Sequence, residues 1–134
     1  MQFFTQEEAN DALEVVRPLV ERLVAARRRF VHVAGRLEQV EGQVAGNGGG
    51  LDPERVGDLQ QKAAEVAADI AALVSELEDA GVQVKDLDQG LIDFPARHPR
   101  REETVLLCWH LGEDDVRYWH GLEEGFAGRK PLPF

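Results

Sequence analysis

DPERVGDLQQKAAEVAADIAALVSELEDAG, residues 52–81, decides the fold. Asp52 offers a capping carboxylate, Pro53 a ring suited to the first helical position, and Gly81 a residue that ends a helix. Between them Leu59, Ala63, Val66, Ile70, Leu73, Leu77 and Ala80 recur at alternating spacings of four and three. That is the seam of a helix lying along another helix.

The partner is found upstream. Thr5 with Glu8 three residues later reads as a capping box, in which hydroxyl and carboxylate each serve an orphan amide. From there Ala9, Leu13, Val16, Val20, Leu23, Phe30, Ala34, Leu37 and Val44 keep the same spacing, with Arg27 and Glu41 as two charged interruptions. Gly46-Asn47-Gly48-Gly49-Gly50 ends the run, because Gly and Asn accept left-handed backbone. With a connector only at 46–52 the two helices fold back antiparallel. In that register Arg27 lies across from the Asp69 to Leu73 stretch, with Asp69 as its expected ion partner.

Downstream of Gly81 the period shortens. Val82 to Lys85, Leu91 to Phe94, Thr104 to Leu111 and Val116 to His120 are short runs bounded by turn residues, and they predict strands. Pro95 to Arg101 reads as a polar loop, Gly112-Glu113-Asp114-Asp115 as a hairpin turn, and Gly125 to Phe134 as an extended tail. The expected architecture is α+β and one domain over 1–134. A long antiparallel helical hairpin with a coiled-coil-like seam (5–80) precedes a small antiparallel β unit and tail (81–134).

The 134 residues carry a net charge of −10, which argues against nonspecific nucleic-acid binding, a property that rests on clustered Lys and Arg. The charge is uneven: residues 1–50 hold six basic and seven acidic groups, residues 51–80 two and eight. Arg27, Arg28 and Arg29 are expected to be solvated or paired within the chain. No apolar run is long enough for a membrane span, and residues 1–20 lack the pattern of a secretory signal. The single cysteine, Cys108, has no internal partner, which fits a cytoplasmic location.

Several stretches look like one family. They are Phe4-Thr5-Gln6-Glu7-Glu8-Ala9-Asn10, Gly46-Asn47-Gly48-Gly49, and Val84-Lys85-Asp86-Leu87-Asp88-Gln89-Gly90-Leu91-Ile92-Asp93-Phe94-Pro95. Leu107-Cys108-Trp109-His110-Leu111-Gly112-Glu113 and the run from Arg117-Tyr118-Trp119-His120 to Gly125-Phe126-Ala127-Gly128-Arg129 belong with them. The chain resembles, over nearly its whole length, the bacterial domain-of-unknown-function family 2203. The resemblance supports the fold and implies a bacterial source. It carries no activity and gives no residue a role.

Inventory narrows the chemistry. Ser75 is the only serine and sits mid-helix, while Thr5 is a cap, so a Ser-His-Asp site is not expected. Cys108 with His110 on the same strand face could form a reactive thiol, but a half-buried strand cysteine acting as a small apolar residue is the plainer reading. Cys108, His110 and His120 have metal-donor chemistry, and the register of the 104–120 hairpin decides whether they meet. With Cys108 opposite Tyr118 all three share a face. With Trp109 opposite Tyr118, His120 moves away from Cys108 and Val105, Leu107, Trp109, Leu111, Val116 and Tyr118 form one apolar face. The second register is the expected one.

Asp86, Asp88, Gly90 and Asp93 partly match a calcium loop but lack its later bidentate Glu, so a polar turn is expected. The broader candidate site is ligand contact through Lys85, Asp86, Trp109, Tyr118, Trp119 and Arg129, or a divalent metal on Asp93, Glu113, His120 and Cys108. Any chemical site is expected in the β unit and to include His120; His32, on the first helix, is expected at the surface. The leading functional expectation is a non-enzymatic protein whose hairpin mediates self-association or partner binding, the alternative a small metal- or ligand-binding protein. A homodimer is expected because helix one outruns helix two, leaving residues 5–18, with Leu13 and Val16, in need of cover. Pro18 is expected to kink the helix there.

Overall fold

The computed structural model describes residues 2–47 and 52–134. Helix α1 spans Gln6–Asn47 and α2 spans Pro53–Asp79. The capping box forms reciprocally: Thr5 N–H donates to Glu8 Oε1 (3.0 Å) and Glu8 N–H to Thr5 Oγ1 (3.1 Å). Asp52 caps α2 by accepting from Glu54 N–H (3.0 Å). The far end closes on Gly81 at φ +88°, with Val82 N–H reaching back to the Leu77 carbonyl at 3.0 Å. Helix α1 continues through Pro18 as one element. Of the expected connector at 46–52, Gly46 and Asn47 still belong to α1, and residues 48–51 lie outside the described residues.

Five antiparallel strands follow in simple order: β1 (Gln83–Asp86), β2 (Leu91–Arg97), β3 (Thr104–His110), β4 (Tyr118–Gly121) and β5 (Lys130–Pro131). The tail is therefore not merely extended; after a 3-10 turn at Phe126–Gly128 it becomes the last strand. Strand β2 also runs past Pro95, where a sequence reading ends it. The cause is local. Partner β1 pairs only as far as Gln83↔Asp93, so at Pro95 the strand behaves as an edge, where a missing N–H is tolerated. The Pro95 carbonyl there accepts from Phe4 N–H at 2.7 Å.

Ile92, Phe94 and Ala96 of β2, Val105, Leu107 and Trp109 of β3, and Trp119 of β4 are buried and form one cluster with Ala9, Leu13, Val16, Val20, Leu23, Leu73 and Leu77 of the helices. The sheet thus lies on the first half of α1. Leu13 is 4% and Val16 1% exposed, so the apolar stripe that outruns α2 is covered by the chain itself. The expected need for a second chain at residues 5–18 is thereby removed. Gly90, at φ +64°, lets the β1–β2 turn settle onto α1, where an added Cβ would stand 2.8 Å from Val20 Cγ1.

The β3–β4 register is Leu107↔Trp119 and Cys108↔Tyr118, so the expected alternative, Trp109 opposite Tyr118, is incorrect. The physical reason is Val116. It is not a strand residue: its N–H donates to Asn10 Oδ1 (2.6 Å) and its carbonyl accepts from Gln6 Nε2 (3.0 Å), both on α1. Released from the ladder, Val116 is buried without fixing which of its neighbours faces inward. Trp119, the larger apolar side chain, then takes the helix side and Tyr118 the other.

The charge pairing across the hairpin also differs from expectation. Arg27 meets Asp88 of the β1–β2 turn at 3.2 Å, and Asp69 meets Arg29 at 3.8 Å. Residues two apart on a helix point about 200° away from each other, so Arg27 falls on the sheet side with Val20 and Val24 while Arg29 falls on the far side. His32 is exposed, as expected. No helix among the described residues is long and apolar enough to cross a membrane.

Candidate metal centre on the outer sheet face

Alternation along the strands sends Asp93, Cys108, Tyr118 and His120 to the sheet face opposite the helices. Asp93 and Cys108 stand opposite each other on β2 and β3, and His120 lies opposite Leu106, one step along. The result is a group in which one donor atom each from Asp93, Cys108 and His120 lies within 4.8 Å of the others. All three are buried, at 1%, 0% and 3% exposure.

Hydrogen bonds define the proton positions. His120 Nδ1 is 2.8 Å from the Gly121 carbonyl, which can only accept, so Nδ1 carries a hydrogen. Its Nε2 is 3.2 Å from Asp93 Oδ1. One proton between those two atoms satisfies both. Burial pushes the Asp93 carboxyl above its ordinary value, opposed by the His120 ring and by a hydrogen bond from the Cys108 thiol. Burial, reinforced by the Asp93 charge, pushes that thiol up to about 12. Cys108 is therefore a neutral thiol near pH 7, and both His120 nitrogens are engaged elsewhere, so the arrangement is not that of a thiol nucleophile with its base.

Beside this group sits a second one. Arg129 Nη2 donates to both Glu113 carboxylate oxygens (2.7 and 2.8 Å) and to the Cys108 carbonyl (3.3 Å). Its guanidinium lies over Tyr118 (4.1 Å to the ring centroid) and Phe126 (4.6 Å). Its Nε is buried with no partner among the described residues. The stack holds the chain after β4 against the outer face.

The sequence-derived candidates therefore separate. Asp93, Cys108 and His120 come together. Glu113, grouped with them as a metal candidate, is instead held by Arg129, and it also accepts from His110 N–H at 3.0 Å. Among the ligand candidates, Tyr118 and Arg129 share the outer face, whereas Trp109 and Trp119 belong to the core on the other side. Trp109 Nε1 is spent on the Glu113 carbonyl at 3.0 Å. Asp86 Oδ1 accepts from Asp88 N–H (2.8 Å) and Gln89 N–H (3.1 Å), so it builds a polar turn, as expected, rather than a calcium loop. Lys85 is exposed on β1.

Sequence reading missed His98. It is 7% exposed, its ring 5.0 Å from Trp119 and 4.7 Å from Phe134, and its Nδ1 accepts from Arg100 N–H at 3.1 Å. Its position in a polar, proline-bounded segment gave no sign of burial; the continuation of β2 through Pro95 is what carries it inward.

No curated protein matches the chain, and no solved structure does. The profile of a family described as an uncharacterized conserved protein (DUF2203) matches residues 2–132, essentially the whole chain, and the protein belongs to that family.

Proposed function

We propose that the protein binds a divalent transition metal of the zinc class through Asp93, Cys108 and His120. The carrying observation is the convergence of three chemically different donors, from three adjacent strands, within 4.8 Å of one another. A tetrahedral zinc with bonds of about 2.0–2.3 Å sets its ligands about 3.3–3.8 Å apart. The 3.2 Å between His120 Nε2 and Asp93 Oδ1 is already close to that spacing.

Two further features support the reading. The Gly121 carbonyl fixes the His120 tautomer that leaves Nε2 as the donor, the usual way a ligating histidine is oriented. Charge also balances. An ionised Asp93, a Cys108 thiolate and a neutral His120 total −2 in a buried place, which a divalent cation neutralises. A thiolate in the set favours zinc-like ions over calcium or magnesium, and three protein donors leave one vertex for water or another ligand.

The test is elemental analysis of protein purified without chelator or metal-affinity tag, followed by cobalt reconstitution. The expected result is about one metal per chain and a thiolate-to-cobalt charge-transfer band that Cys108→Ala abolishes and His120→Ala weakens strongly. Metal-free protein that also fails to take up cobalt would sink the proposal and leave the group as a buried hydrogen-bond network.

A further inference from the structure

Away from the sheet, α1 and α2 leave an open groove of about 450 Å³. Ala26 and Leu73 form its floor. Arg22 and Arg29 flank it on α1, Asp69 and Glu76 on α2. Arg22, Arg29 and Arg36 are seven residues apart and so fall on one line along α1. Further out, Arg36 faces a second depression between the helices that Arg55, Asp58 and Lys62 line on α2, so the acidic rail is confined to Asp69 and Glu76. The sheet touches the other side of α1. Val20 and Val24 lie against Gly90, and Arg27 bonds Asp88. Arg22 and Arg29 lie about 200° round the helix from Val24 and Arg27, so nothing of the β unit obstructs the groove.

We propose that this groove is the interface of a homodimer in which a two-fold axis runs parallel to the helices. Charge complementarity selects the second copy and its orientation. Such an axis lays α1 of each chain on α2 of the other without changing height along the hairpin. Arg29 and Asp69 face each other at 3.8 Å within one chain, with side chains 59% and 65% exposed, so the two rails are level. Arg29 of one copy then meets Asp69 of the second copy, and Arg22 meets Glu76, in both directions. An axis across the helices would instead stack basic rail on basic rail. Ala25, Ala26 and Ala72, which also line the groove, let the four helices approach closely. Because each chain carries −10, association has to overcome a general repulsion, which makes a matched pattern of local charges decisive for register. The groove and the metal site share no residue.

Sedimentation equilibrium from micromolar to near-millimolar protein tests it with two reversed variants, Arg22→Glu/Arg29→Glu and Asp69→Lys/Glu76→Lys. The wild type should dimerise, and each variant alone should associate at least about tenfold more weakly. An equimolar mixture of the two should recover dimers, because each supplies the rail the other lacks. A chain carrying all four changes keeps its internal pairing and should dimerise like wild type, which separates loss of the interface from loss of the fold. A wild type that stays monomeric, association indifferent to reversal, or a mixture that fails to recover would each overturn the proposal.

Discussion

Replacing Asn10 by Ala tests why the β3–β4 register is what it is. In the native structure Val116 is fully buried, and its N–H has Asn10 Oδ1 as partner at 2.6 Å. Removing that oxygen leaves a buried amide unsatisfied, which costs about 1–3 kcal/mol. Nothing else stands in, because Val116 lies outside the ladder. The Val116 carbonyl is more secure: it accepts from Gln6 Nε2 at 3.0 Å and lies 3.5 Å from Asn10 Nδ2. Gln6→Ala should therefore cost only about 0.5–1 kcal/mol, the net worth of an ordinary hydrogen bond. For a chain of this size a loss of about 2 kcal/mol lowers Tm by about 6–8 °C. Urea titration followed by tryptophan fluorescence suits the question, since Trp109 and Trp119 flank the 111–117 segment. Asn10→Ala should shift the midpoint at least twice as far as Gln6→Ala. A shift within experimental error of wild type, or one no larger than that of Gln6→Ala, would refute the claim that Asn10 anchors this segment.

Two further outcomes follow from burial and backbone. Cys108, buried and with its thiol pushed up to about 12, should resist alkylation in the native metal-free protein at pH 8 and react stoichiometrically once urea unfolds it; fast native labelling counts against the described environment. Gly90→Ala should destabilise more than Gly112→Ala. Both glycines have positive φ, so each change carries about 1 kcal/mol or more of backbone strain, but only at Gly90 does the new methyl meet Val20, Val24 and Leu111 at 2.8–3.0 Å. Equal losses in a denaturant titration would show that the seat on α1 is looser than described.

The helices were legible because their signals are local. Thr5 with Glu8, Asp52 with Pro53, and the four-three seams each act within a turn or two, and the hydrogen bonds at both helix starts match them. Strands β2 and β3 were legible as apolar runs. What the sequence did not disclose depends on contacts between distant residues. Val116 leaves the ladder because of Asn10 and Gln6, more than a hundred positions earlier, and that departure alone reverses the predicted facing of Tyr118 and Trp119. The candidate centre shows the same division. Asp93, Cys108 and His120 were identifiable as donors by chemistry, but their shared face required the register, and Glu113 was grouped with them because nothing local shows that Arg129 claims it.

The sheet braces only the first half of α1, so the 42-residue helix divides into two zones of unequal local stability. Near the sheet, Val20 and Leu23 are held from two sides. Farther out, Val33, Val40 and Val66 are covered by the other helix alone. Opening that outer zone exposes a single seam and leaves the strands that hold Asp93, Cys108 and His120 untouched. The outer part of the hairpin is thus a separable cooperative unit: it can fray, rewind or remodel on a contact of its own while the β unit stays closed, with amide exchange graded along α1 rather than uniform.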